Sequence, residues 1–203
     1  MYRYLLIVRF GLINLVAVSM LGAAYLQGWL KAILEADLIE LSAAIVVLFV
    51  YGLVHCTIAI WKTTTELNAV GEGAPSATSP SGRYLARLGD GAEREVAGGV
   101  LRLRLTNRIT VVRHVANSLV FLGLIGTVIG FIIALSGVDP QAASDAERVG
   151  DIISNLISGM SVALNTTLVG AVLYVWLIVN HRLLATGTVD LLTSTLELGY
   201  GRA

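Results

Sequence analysis

The sequence predicts an all-α, polytopic membrane protein: four transmembrane helices in two hairpins, joined by a short cytoplasmic connection. Three observations carry that reading. The 203 residues are 56% hydrophobic and only 14% charged, where a soluble domain carries about 25% charge. Mean hydropathy is +0.78. The apolar residues are gathered into four long runs, and about 20 apolar residues in a helix cross the hydrocarbon of a bilayer.

The first run is Phe10 to Leu30, preceded by Arg3 and Arg9. It is longer than the core of a secretion signal, and Tyr25 and Trp29 suit a membrane interface. We therefore read it as an uncleaved span, although "LGAAY" offers small residues where a signal peptidase could cut. The second run is Leu41 to Trp61, the third Val115 to Leu135 and the fourth Ile152 to Val179. The expected organisation is a first hairpin at 1–61, a cytoplasmic linker and helix at 62–114, a second hairpin at 115–183 and a cytoplasmic tail at 184–203.

Charge orients the spans. Between the second and third runs lie Lys62, Arg83, Arg87, Arg94, Arg102, Arg104, Arg108 and Arg113. The turn of the first hairpin holds Lys31 against Glu35, Asp37 and Glu40; that of the second holds Arg148 against Asp139, Asp145, Glu147 and Asp151. Loops rich in Lys and Arg stay inside, so both termini and the middle connection are expected in the cytoplasm. Within that connection, "GEGAPSATSPSG" (71–82) has the composition of a flexible linker. The basic and apolar stretch after it is expected to enter the third span as a helix, its arginines solvating the helix and meeting anionic lipid heads.

Net charge is zero, so no basic field for nucleic acid exists. Cys56 is a single thiol in an apolar run, read as buried and inert. His55 lies within the second span near its cytoplasmic end, His114 and His181 sit at span ends, and all three read as packing or interfacial residues, as do Tyr51, Trp61 and Trp176. No phosphate-cradling, zinc-protease or nucleophile-elbow motif is present, which argues against an enzyme and for no cofactor.

The third span carries "FLGLIGTVIGFIIAL". Glycine costs a helix about 1 kcal/mol against alanine, so its repetition needs a reason. On a helical wheel Ala116, Gly123, Thr127, Gly130 and Ala134 share one stripe, with Gly126 on its edge. In the fourth span Ser154, Ser158, Ser161 and Asn165 form a polar stripe. Gly159, Ala163, Thr166 and Gly170 form a small stripe beside it, with Thr167 at the far edge. Small stripes let membrane helices approach closely, and Asn165 near mid-membrane wants a partner, water or an ion. Neither span contains Asp, Glu, Lys, Arg or His. A proton relay in a membrane uses carboxylates or histidines, so any ion path here must borrow its titrating group from another chain.

"GLIGTVIGFIIALS" and "GMSVALNTTLVGA" resemble the pore-lining helices of the MotA/TolQ/ExbB family of ion-channel subunits over about Val115 to Val179. The first hairpin is similar to MotA-type stators in topology only. The resemblance implies a homopentamer in the bacterial inner membrane, set around a dimer of a single-span partner of the MotB, TolR or ExbD kind whose aspartate binds the ion. Ion flow would turn one against the other. It assigns the ion path to Thr127, Thr166, Thr167 and Asn165, and close packing at the pore to Gly123, Gly126, Gly130, Gly159, Ala163 and Gly170. The transported ion is expected to be H+, with Na+ kept open by the hydroxyls of Thr127, Thr166 and Thr167, since hard cations prefer oxygen. Relatives often have a proline where Trp176 stands; here Pro75, Pro80 and Pro140 all lie outside the spans. The connection is also shorter than in flagellar MotA, which points to an envelope energiser or gliding-type motor rather than a flagellar stator. The competing readings are a structural scaffold whose stripes only pack helices and, last, a small-solute transporter.

Overall fold

The computed structural model describes residues 4–28, 41–86, 91–136 and 146–201, and it is all-helical within them. Helix α1 spans Leu5–Leu26, α2 Leu41–Gly71, α3 Pro80–Leu85, α4 Gly91–Ser136 and α5 Ala146–Gly201. The first expected hairpin turn, with Lys31, Glu35, Asp37 and Glu40, and the part of the second with Asp139 and Asp145 lie outside the described residues, as do Arg3, Trp29, Arg87 and Pro140; Glu147, Arg148 and Asp151 of the second turn fall in the first turns of α5. Four helices (all but α3) are long and apolar enough to cross a membrane.

Helices α4 and α5 hold 46 and 56 residues. At a rise of about 1.5 Å per residue each far exceeds the roughly 30 Å of a hydrocarbon core, so a large part of each continues beyond its apolar run. For α4 that continuation is the helix expected ahead of the third span. For α5 it carries residues 184–201, most of the stretch expected as a cytoplasmic tail, as an ordered helix. The reason is periodic: Leu177, Leu184, Thr188, Leu191 and Thr195 are buried at helical spacing, which gives the segment an apolar face to pack.

The chain divides into two units. Unit 1 comprises Met1–Leu15, Gly52–His114 and Leu177–Ala203; unit 2 comprises Val16–Tyr51 and Val115–Trp176. In unit 1 a core forms from Val70, Tyr84, Leu101, Leu105 and Leu191. Helix α2 ends there in a glycine cap. Gly73 takes φ +72°, its N–H donates to Val70 O at 2.9 Å, and the Ala74 N–H reaches Ala69 O at 3.0 Å. That paired pattern satisfies the last carbonyls of a helix and needs a left-handed residue.

The stretch expected to be a loose linker is instead folded. Ser79 caps α3, its Oγ accepting from the Gly82 N–H at 3.0 Å, with Pro80 at the first helical position, where its missing N–H costs nothing. Ser81 is fully buried. Its N–H and Oγ–H both donate to Glu66 Oε1, at 3.0 and 2.9 Å. Arg108 approaches the other carboxylate oxygen at 3.4 Å, and the Thr195 hydroxyl donates to Ser81 Oγ at 3.1 Å. One buried carboxylate thus joins α2 to α3 and α4, and the Ser81 hydroxyl extends the network to α5. Composition alone underestimated this segment because the partners that order it lie far off in sequence.

Helix α1 has no buried residue. Within unit 1 it carries an amide pair: Asn14 Nδ2 donates to Asn180 Oδ1 at 2.9 Å, and Asn180 Nδ2 returns toward Asn14 Oδ1 at 3.4 Å. Nearby, Leu6 lies where a side chain on Gly187 would be.

Candidate functional site

The residues singled out for ion conduction all fall in unit 2, on α4 and α5. The glycines draw the two helices together in an antiparallel run. A Cβ on Gly170 would lie 2.8 Å from Leu119 O, and one on Gly123 3.3 Å from Thr166 O. One on Gly126 would stand 2.5 Å from Thr166 Cβ. Further along, a Cβ on Gly130 would come within 2.6 Å of Ala163 N and of Gly159 O, and one on Gly159 within 2.5 Å of Gly130 O. At Gly130, Gly159 and Gly170 only hydrogen fits and the backbones themselves touch, at Gly126 the Thr166 side chain fills the space, and Gly123 is tight but less so. Lipid offers no hydrophobic drive between helices, and close van der Waals approach of this kind supplies the association instead.

The hydroxyls divide by surroundings. Thr166 is fully buried under Gly126, and shares its proton between Val162 O at 3.0 Å and Ala163 O at 3.1 Å. Thr167 is half-buried. It donates to Ala163 O in its own helix at 3.1 Å and to Gly123 O across the helix pair at 3.2 Å. Thr127 is also half-buried, donates to Leu124 O in its own turn, and opens on a shallow depression with Val128, Phe131, Ile132 and Leu135. A hydroxyl has one proton and two lone pairs. Once the proton is committed to the backbone, the oxygen presents lone pairs, which is the form that receives a cation or a hydrogen-bond donor.

Asn165 is half-buried, and its Nδ2 is enclosed with no hydrogen-bond partner. A donor left so in hydrocarbon is costly, and a carboxylate would satisfy it. Ser158 and Ser161 are half-buried while Ser154 is exposed. The outward faces of both helices are apolar: Phe121, Val128 and Ile132 on α4, and Ile157, Leu164 and Leu168 on α5, are all exposed. Among the described residues no group of three His, Cys, Asp or Glu could hold a metal. The structure therefore brings Thr166 and Thr167 against Gly123 and Gly126, and sets Thr127 beside a separate apolar depression.

Sequence reasoning missed the Glu66–Ser81–Thr195 network and the Asn14–Asn180 pair. The second left a signal: Asn14 is a lone amide inside an apolar run, and such a group needs a partner.

A family model decides the larger question. The MotA/TolQ/ExbB proton channel family matches residues 90–196, which takes in all of α4 and nearly all of α5. The chain belongs to this family. Neither curated proteins nor solved structures give a match to it. Members of the family work with a partner protein in a channel complex, and the chain is accordingly a multi-pass membrane subunit of an ion-channel energiser.

Proposed function

We propose that this chain is the ion-channel subunit of an inner-membrane rotary motor, converting ion-motive force to mechanical work. Five copies would surround a dimer of a single-span protein of the MotB, TolR or ExbD kind, with both termini of this chain in the cytoplasm. One observation carries the reading. The apolar parts of α4 and α5 supply hydroxyl oxygens and an unsatisfied amide donor at Asn165 but no titratable side chain. Such a wall can guide an ion and cannot itself hold a proton, so the exchangeable acid comes from the partner. Thr167 and Thr127 carry the path; Asn165, whose Nδ2 is enclosed within this chain, would have to turn its side chain outward to meet the partner's carboxylate. Thr166, sealed under Gly126, acts by packing in this arrangement. Protons are the favoured ion; a sodium site at the threonine oxygens is the alternative.

The glycine contacts also suit a pure scaffold, and one experiment separates the two readings. The chain is co-purified with its single-span partner, reconstituted in liposomes, and assayed for dissipation of a pH or sodium gradient. Thr127→Ala and Thr167→Ala are expected to leave complex size unchanged and to lower flux at least tenfold. Unchanged flux in both would favour the scaffold. Which gradient is dissipated identifies the ion.

A further inference from the structure

Beyond their apolar runs, α4 and α5 each leave one face uncovered. On α4, Val96, Val100 and Leu103 recur at spacings of four and three residues, the seam by which one helix packs on another. All three are exposed, Leu103 to 73%. The opposite face of α4, with Leu101 and Leu105, is buried in the unit 1 core. Leu103 lies about 18 Å ahead of the third apolar run at the helical rise, so the seam stands in water. On α5, Val189 is 59% exposed and lies about 15 Å past the fourth run.

The two faces differ in charge. The exposed charged residues around the α4 seam are Glu95, Arg102 and Arg104, and those on α5 from Val189 onward are Asp190 and Glu197. One surface is net positive and the other wholly negative, and none of these residues forms an ion pair among the described residues. They also stand at matching heights. The helices run antiparallel with Gly98 against Leu196, so stepping from 98 to 104 on one and from 196 to 190 on the other sets Arg104 level with Asp190.

Copies inserted in one bilayer share an orientation, so equal heights meet when they pack side by side. Contact of α4 with α4 would set Arg102 and Arg104 against their own kind, and contact of α5 with α5 would do the same to Asp190 and Glu197. Contact of α4 with α5 pairs opposite charges. We infer that the α4 seam of one copy receives the Val189–Asp190 face of α5 from a second copy of this chain, with Arg104 meeting Asp190. Such a contact uses different surfaces on the two copies, and it closes into a ring where the rotation allows. The inference rests on the multi-copy assembly proposed above, and names the surface that joins its members beyond the apolar runs.

The test uses the full-length chain in the membranes of cells that make it, carrying Leu103→Cys and Val189→Cys. A short bis-maleimide joins thiols across a contact, and the native Cys56 is fully buried and does not compete. The double variant is expected to give a ladder of products that passes dimer, and each single variant only monomer. Mass photometry of the unaltered complex, extracted in detergent, counts its copies separately. Like charges across an interface are strongly disfavoured, so Arg104→Asp should lower the ladder by about tenfold, and adding Asp190→Arg should restore it. No ladder from a complex of several copies would overturn the docking surface alone; no ladder from a monomeric chain would overturn the assembly with it. A product that stops at dimer, dimers from either single variant, cross-linking to a different protein in place of the ladder, or a charge swap that restores nothing in a complex of unchanged size would also overturn the proposal. The ladder is read with the native charges in place, so it stands even if a charge variant fails to fold.

Discussion

The glycines of α4 and α5 meet mostly backbone in unit 2 and side chains in unit 1, while Gly82 on α3 of unit 1 lies against the Ser76 carbonyl and Gly126 of unit 2 against the Thr166 side chain. In unit 2 the neighbours of Gly130, Gly159 and Gly170 are backbone atoms of the facing helix. In unit 1 the neighbours of Gly187 and Gly199 are the ends of side chains, Leu6 Cδ2 at 2.6 Å and Tyr84 Cε1 at 2.9 Å from where a Cβ would sit. A side chain can turn aside; a helix backbone moves only with its whole helix. Unit 1 then adds a buried carboxylate network, a kind of contact not found in unit 2 among the described residues. The lesson is that the apolar α4–α5 pair of unit 2 gets most of its precision from steric exclusion, whereas unit 1 gets its own from hydrogen bonds around a buried carboxylate.

The sharpest way to break this contrast is a single methyl group. Gly130→Ala places a Cβ against Ala163 N and Gly159 O, and overpacking against atoms that cannot yield costs about 1–3 kcal/mol or more. Gly199→Ala meets only the Tyr84 ring and should cost less than half as much. Thermal unfolding in detergent is the measurement, with a lower midpoint expected for Gly130→Ala than for Gly199→Ala. Equal midpoints would mean that α4 and α5 can part at no great cost, and the steric account of unit 2 would fall.

The next effect belongs to unit 1. Glu66→Ala removes the acceptor for the Ser81 N–H and hydroxyl and the partner of Arg108. Stranding buried donors costs about 1–3 kcal/mol. Glu66→Gln keeps one carbonyl oxygen for Ser81 and should lose less. Hydrogen exchange reads this locally. The Ser81 and Gly82 amides should exchange faster in Glu66→Ala, with little change in amides of the Gly123–Gly130 turns.

How much of this could be read from residues alone follows the same division. The spans were legible because a bilayer demands long apolar runs, and the stripe of Gly123, Gly126 and Gly130 because a wheel needs only a period. What escaped depends on the neighbouring helix. A wheel places Thr166 and Thr167 side by side, yet only the position of Gly126 makes the first sealed and leaves the second half-buried. Ser81 was hidden in a composition that reads as linker, because its partner Glu66 is 15 residues away and Thr195 is 114 away. The tail at 184–203 was passed over for a related reason: its face of Leu184, Leu191 and Thr195 makes sense only once a core at Leu101 and Leu105 exists to receive it.

The smallest expected change in stability is also the one that sharpens the functional reading most. Thr167→Val keeps shape and removes one hydroxyl, which loses the interhelical bond to Gly123 O. Such bonds in membrane proteins are worth about 0.6 kcal/mol on average, so the unfolding midpoint should barely move. Thr166→Val removes a hydroxyl that bonds only to its own helix and should be equally mild. If Thr167 lines the ion path and Thr166 does not, the two variants part company in flux: Thr167→Val falls at least tenfold while Thr166→Val stays within about twofold. A fall in both would move Thr166 back into the path and require α4 and α5 to separate during conduction. Neither falling would leave both threonines as packing residues, with the scaffold reading ahead.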